Sequence, residues 1–478
     1  MRIVRRPAQL LVVAAVILLG VAAGASGDPP RAAEPSVHYT VRSDAALETL
    51  SVRVCFDDAP PGSLGPGVEA AGRALLDALH DGEPLPVRRG RVVLSSLSAG
   101  DCVDYRVDLD TARRASRFSG RPGRDFVSSQ GVWLWRDRSH IPEGGATIRF
   151  DLPDGVHAAT PWPERPDGSQ HLGPTAFRRP SFIAFAHEAP IATIERQGVR
   201  ATLTRLDDGW DLSDADLERW LTEAIDGISL VQGRFPVDSL SVIVVPSGGR
   251  GMGFGMVRRG GGFSAMYLVG RRSTLDDLRD SWVTWHELSH LHLPALPQRD
   301  AWLYEGLATY YQEVIPARLG VQPDREAWRQ LLAGLERGQR ARARGTLTGL
   351  SEDLRQNRAY SRVYWAGTAF ALEADVRLRE RGSSLDEALR RAAPRWRNDL
   401  SVYSSERVCA AWDRPLDAAV LRPLRDRYAG ARGFPATADL LSRLGVSRSE
   451  RSVSLTDAEL SRVRDAIMRV RQGTRPLD

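Results

Sequence analysis

The sequence predicts an α+β protein: a β-sandwich-like N-terminal domain, then a mixed domain with a helical C-terminal half. Three observations predict it. Runs of alternating apolar and polar residues, separated by turn residues, recur through residues 37–188. Two runs rich in β-branched and aromatic residues, 239–245 and 263–269, flank a glycine-rich stretch at 248–262. Beyond residue 273, apolar residues recur mostly at helical spacing.

Taken in order, residues 50–55, 92–94, 132–135 and 147–152 read as strands of the first domain, with one helix expected over 67–78. The next segment, 189–316, opens with a strand at 201–204. A helix follows, capped by Ser213 and burying Leu217, Trp220, Leu221, Ile225 and Ile228. After the strands at 239–245 and 263–269, a helix should start near Ser273 or Thr274, with Asp276 and Asp277 in its first turn. Pro294 and Pro297 should end it, and a second helix should begin near Asp300. Residues 317–447 read as mostly helical. Residues 448–478 read as one amphipathic helix, with Thr456 and Glu459 as a capping box and Leu460, Val463, Ile467 and Val470 on one stripe.

At 478 residues the chain has room for two or three domains, and 42% hydrophobic with 26% charged residues is ordinary for a globular protein. The net charge of +5 comes entirely from arginine, since the chain has no lysine. Those arginines are interleaved with acids and form no stripe, which argues against a nucleic-acid partner. At the N-terminus, Arg2, Arg5 and Arg6 precede an apolar run from Leu10 to Ala23, and Ala23-Gly24-Ala25 suits signal peptidase. Residues 1–25 are therefore expected to be a signal peptide and 26–36 a disordered lead. The run is short for a membrane span, so the mature protein should be exported with no stable membrane insertion; an uncleaved anchor is the alternative. An exported protein can hold disulfides, and Cys55 and Cys102 both fall in the first domain, so a bridge between them is expected. Cys409 should be a buried thiol.

The chemistry is concentrated in Trp285-His286-Glu287-Leu288-Ser289-His290 and in Trp302-Leu303-Tyr304-Glu305-Gly306-Leu307-Ala308. Residues four apart share one helix face, so His286 and His290 can offer two imidazole nitrogens to one ion. Glu305 would supply a third ligand from the next helix, leaving a tetrahedral position open for water. Glu287 points close to that position and can serve as base, then acid. The helix around the histidines is apolar, so these imidazoles would be partly buried and would need a partner. A single Zn2+ and a peptide or protein substrate are the expected cofactor and partner. A zinc-stabilised binding protein without catalysis is the contrasting reading, and an intact Glu287 argues against it.

His-Glu-x-x-His on one helix and Glu-Gly-x-Ala on the next resemble the glutamate-type zincins, or gluzincins. The Trp-x-x-Glu-Gly-x-Ala-x-Tyr string resembles the peptidase-MA-like domains. The layout over residues 140–445 is similar to the glycyl aminopeptidase family, with too little sequence left for the PDZ domain many relatives carry. The resemblance implies a zincin (gluzincin-like) catalytic domain and a zinc metallopeptidase. It also implies an oxyanion-stabilising tyrosine within a Tyr-x-x-Gly element, which Tyr364 matches, with Tyr360 as the next choice. Ala366 stands where relatives usually have lysine.

Gluzincin aminopeptidases usually place a glutamate in the glycine-rich strand to pair with the substrate's free amine. Between Ser239 and Leu275 this chain has no acidic residue and carries Arg250, Arg258, Arg259, Arg271 and Arg272. A cationic amine would meet no fixed counter-charge there. Cleavage within peptides, or binding of acidic groups, is therefore expected over aminopeptidase action of the glycyl aminopeptidase type. His292, two positions past the second ligand and on a different helix face, is expected beside the ligands or at the surface and not as a ligand, and His187 and Glu188 lie in a domain junction without partner spacing.

Overall fold

The computed structural model describes residues 34–137, 139–414, 416, 419–450 and 452–470. The expected signal peptide and most of the expected lead lie outside the described residues. Among those described, no helix is long and apolar enough to cross a membrane.

The first region is built on a seven-stranded sheet. Val37–Ser43 pairs antiparallel with Thr49–Phe56 and parallel with Ala146–Phe150. Alternate residues such as Val41, Val52, Val54 and Val103 point inward. They share one core with Phe126, Ile183 and Phe185 from a separate three-stranded sheet, Phe126–Ser129, His157–Ala159 and Phe182–Ala186. Two sheets enclosing one apolar layer follow from the alternation read in the sequence. Cys55 and Cys102 lie opposite each other on neighbouring strands and form a disulfide.

One expected element is absent. Residues 67–78 are not a helix: a 3-10 turn, Glu69–Ala74, leads into a strand, Leu75–His80. That strand pairs with Cys102–Asp108, whose far edge would otherwise be bare. The alanine-rich segment has helix propensity, but its contacts with the sheet outweigh that preference. Gly72 also packs on Gly90, where an added Cβ would lie 3.1 Å from the Gly90 carbonyl oxygen.

The second region carries a five-stranded sheet in the order Ala192–Arg196, Val199–Arg205, Ser239–Ser247, Ser264–Gly270, Met252–Arg258. The glycine-rich stretch therefore contains a strand of its own, Met252–Arg258, and that strand forms the edge of the sheet. Helix Asp214–Gln232, with Ser213 as its N-cap, covers one face. Trp220 Nε1 ties it to the next helical segment by donating to Thr284 Oγ1 at 3.1 Å.

The helix expected from Ser273 is two helices. Leu275–Arg279 opens on a capping box of Thr274 with Asp277. The chain then breaks, and Trp282–Ser289 restarts with the Ser281 hydroxyl accepting from Val283 N. A serine that can cap competes with continuation of the preceding helix. The second helix ends at Ser289, before either proline, with His290–His292 forming a 3-10 turn. Ala301–Arg318 follows, then Asp324–Arg340 and Tyr360–Arg379.

Residues 448–470 also differ from expectation. Val446–Ser449 and Ser452–Leu455 form a hairpin, and only Ser461–Ile467 is helical. Glu459 pairs with Arg443 at 2.8 Å instead of capping a helix. The amphipathic pattern of 460–467 is real, because Leu460 and Ile467 are buried, but Val470 is exposed. Residues from 471 onward lie outside the described set.

Candidate metal centre

The helix Trp282–Ser289 presents His286, and the turn that follows it presents His290; both are buried. Their rings lie 4.9 Å apart and nearly perpendicular, at 86°. Glu305, on the first turns of Ala301–Arg318, reaches between them. Its Oε2 lies 3.3 Å from His286 Nε2 and 3.5 Å from His290 Nε2. One ligand atom from each residue falls within 4.8 Å of the other two, so the trio could hold a metal ion.

The hydrogen bonds around the trio test whether a metal fits. His286 Nδ1 donates to Gln312 Oε1 at 3.0 Å, and Gln312 Nε2 donates to Glu313 Oε1 at 2.7 Å. This relay assigns the amide orientation and leaves the Nε2 lone pair of His286 turned toward Glu305. A carboxylate this close to a buried imidazole nitrogen needs positive charge at that position, which either a proton on Nε2 or a metal ion supplies. The donor set of two imidazoles and one carboxylate is the set that zinc takes. On the other side, the His290 ring stacks on Tyr304 with centroids 4.1 Å apart and planes at 14°. Arg259 donates to the carbonyls of His290 and Leu293, both at 2.7 Å, which anchors the turn carrying His290. Gln312, Tyr304 and Arg259 have no sequence signature as site residues; only the helical offset of seven between Glu305 and Gln312 hints that they share a face.

Glu287 projects toward the edge strand and accepts from Val257 N at 3.2 Å. That strand passes close: a Cβ on Gly255 would lie 2.9 Å from Glu287 Cγ. Burial pushes the Glu287 carboxyl above its ordinary range, with Glu305 adding to the rise and the imidazoles opposing it. At Glu305 burial also acts upward, but His290 and His286 override it and hold that carboxyl well below the ordinary range. The two neighbouring carboxyls are thus shifted in opposite directions, Glu287 upward and Glu305 downward.

Tyr364 lies against the same trio, its ring parallel to His286 at 5.9 Å. Burial raises its phenol strongly, and the Glu305 carboxylate adds to the effect, so the hydroxyl stays protonated and can donate. Tyr360 is 47% exposed and meets Tyr364 edge-on, further from the donors. Two glycines set this geometry. Gly306 and Gly367 meet where their helices cross, and a Cβ on Gly367 would sit 1.8 Å from the Trp302 carbonyl oxygen. The contact brings Glu305, one residue before Gly306, alongside Tyr364, three residues before Gly367. Ala366 is buried in the same packing.

His292 is not one of the three converging donors, as expected, and it is not exposed. It is wholly buried against Tyr311 at 5.5 Å, and burial followed by Arg318 pushes its pKa down to about 3. His187 is structural: its ring contacts Asp125 Oδ1 and the Ala45 carbonyl, both at 2.9 Å. Most arginines of the glycine-rich stretch are engaged. Arg250 pairs with Asp277 at 2.6 Å, Arg271 pairs with Asp207, and Arg258 lies over the Phe118 ring at 5.1 Å. Arg272 is exposed.

Replacing Gln312 by leucine should free the His286 ring to change tautomer. Zinc affinity, measured by competition with a chromogenic chelator, should fall about 10- to 100-fold. An unchanged affinity would remove the relay from the account.

No protein-family model matches the chain, and no curated protein matches it. Among solved structures, it is similar to an aminopeptidase N family protein from Idiomarina loihiensis, with TM-score 0.65 and 15% identity over 86% of this chain and 78% of that one. An M1 zinc metallopeptidase from Deinococcus radiodurans matches at TM-score 0.45 and 16% identity, over 84% of this chain and 93% of that one. A mutant of that metallopeptidase bound to a Tyr-Ser-Ala substrate gives TM-score 0.46 and 16% identity, over 84% of this chain and 94% of that one. The first likeness establishes the fold: the chain folds as that aminopeptidase N family protein does, with an N-terminal β region and a helical C-terminal part.

Proposed function

We propose that the protein is an exported zinc metallopeptidase that hydrolyses peptide bonds, with His286, His290 and Glu305 as metal ligands. The observation that carries the reading is the convergence of these three donors beside a buried carboxylate that is not one of them. When bound there, zinc supplies a Lewis acid that polarises a carbonyl and lowers the pKa of water. Glu287 accepts the proton of the attacking water and later delivers it to the departing nitrogen, a role suited to a carboxyl whose pKa burial has raised. The Val257 N–H holds Glu287 in place from the edge strand. Tyr364 donates its hydroxyl to the oxygen on which negative charge develops. The free edge of Met252–Arg258 can hold an extended substrate by main-chain hydrogen bonds. The Cys55–Cys102 bridge supports export, since such bonds persist in oxidising compartments.

Met252–Arg258 has no carboxylate to bind a free amine, which favours cleavage within peptides. N-blocked and free-amine peptides separate the two readings, and activity confined to free amines would make the protein an aminopeptidase.

The reading is tested by measuring zinc content and hydrolysis of unfolded protein substrates together. One zinc per chain is expected, with activity lost on chelation and regained on adding zinc. Failure to bind zinc at saturation would reject it. Tyr364→Phe should keep its zinc and its KM while kcat drops about 100-fold, the effect of losing one oxyanion donor. A change in KM alone would assign Tyr364 to substrate binding instead.

A further inference from the structure

A cavity of about 670 Å3 opens from the metal centre on the His286 side, a volume suited to a ligand or a large side chain. His286 and Tyr364 form its inner wall, so whatever fills it lies next to the reacting bond. Its charged lining is mostly spoken for. Arg279 forms a two-point pair with Glu223, Glu326 pairs with Arg329, and Arg337 lies over the Trp365 ring at 5.0 Å. Glu313 differs. It is 7% exposed, accepts from Gln312 at Oε1, and is further held by the Gln322 side chain and, at longer range, by the charge of Arg337. Among the described residues no arginine or histidine lies within 4.0 Å of its carboxylate.

A buried carboxylate with no cation in direct contact is costly to keep, and burial pushes the Glu313 carboxyl upward, with Gln312, Gln322 and the more distant Arg337 only opposing the rise. A cation entering the cavity would recover part of that cost. The walls add aromatic surface from Trp282 and Trp285, while the Trp365 ring already carries Arg337.

We infer that this cavity is a specificity pocket for a basic substrate side chain, lysine or arginine, with Glu313 as its counter-charge. The inference rests on the peptidase reading above and adds a substrate class to it. It also runs against the acidic-substrate expectation drawn from the glycine-rich stretch, whose arginines are largely engaged elsewhere. A free α-amine has the same charge, so the test must distinguish the two sources.

The test uses zinc-loaded protein and N-acetylated peptides in which arginine or norleucine is scanned across the cleaved bond. At one position the kcat/KM ratio should favour arginine by about tenfold or more. It should fall toward one in Glu313→Gln and be partly kept in Glu313→Asp. A ratio near one in the wild type, or one unchanged in Glu313→Gln, overturns the inference. A preference seen only with unblocked N-termini, whatever the side chain, assigns the pocket to the α-amine and also overturns it. Calorimetric binding of the same blocked peptides to Glu287→Gln gives a readout independent of turnover. Arginine-selective binding lost in Glu287→Gln/Glu313→Gln is expected, and equal affinities overturn the inference. If the wild type cleaves no peptide while arginine-selective binding persists, the peptidase reading fails and the pocket stands.

Discussion

Glu287→Gln is expected to abolish peptide hydrolysis while leaving the protein folded and zinc-loaded. Glu287 is adjacent to a ligand in sequence but is not one of the three converging donors. Its carboxylate contacts the Val257 N–H instead, a bond the glutamine oxygen can also accept. The substitution removes only the capacity to take up and return a proton. Loss of a positioned general base costs about 10^2- to 10^4-fold, so kcat should fall by about that much. Metal content by mass spectrometry and a thermal melt should match the wild type. Equal turnover in both proteins would eliminate the proposed chemistry and favour zinc as a cross-link between helices. Loss of turnover together with loss of zinc would show that Glu287 has a part in building the site.

The second large effect is predicted for Gly367→Ala. The helices Ala301–Arg318 and Tyr360–Arg379 touch backbone to backbone at Gly306 and Gly367, and an added methyl would overlap the Trp302 carbonyl oxygen. Backbone on both sides leaves no flexible side chain to yield, and Trp302 beneath is fully buried against Phe370. The helices must separate, at a cost of about 3 kcal/mol or more. Separation also draws Glu305 and Tyr364 apart, so zinc affinity should fall along with thermal stability. Gly253→Ala is the matched control, because a Cβ there meets nothing within 4 Å. If Gly367→Ala melts and binds zinc like Gly253→Ala, the glycine crossing does not set the site.

How much of this was legible in the sequence depended on how local each feature is. The trio that could hold a metal was legible because four residues along a helix set the two imidazoles on one side, and the next helix was close enough to deliver Glu305. The helix caps at Ser213 and Thr274 were legible for the same reason, since a hydroxyl bonds an amide two or three residues on. Residues 67–78 were misread because their composition suits a helix, and only a distant strand needing a partner made them extended. The arginines of the glycine-rich stretch looked like a charged substrate surface. Their partners, Asp277, Asp207 and the carbonyls of His290 and Leu293, come from other parts of the chain.

What the sequence alone determined, then, is the three converging donors and the Glu287 carboxyl beside them, because helix periodicity carries that information over a few residues. The tertiary structure decided which protein groups orient those donors: Gln312 behind His286, Tyr304 against His290, Val257 on Glu287, and two glycines holding the helices close. It also decided that Glu313 lines a cavity with no arginine or histidine within 4.0 Å of its carboxylate among the described residues. Such relations depend on which surfaces meet across long stretches of chain. Packing and burial choose those partners, and no local spacing records the choice.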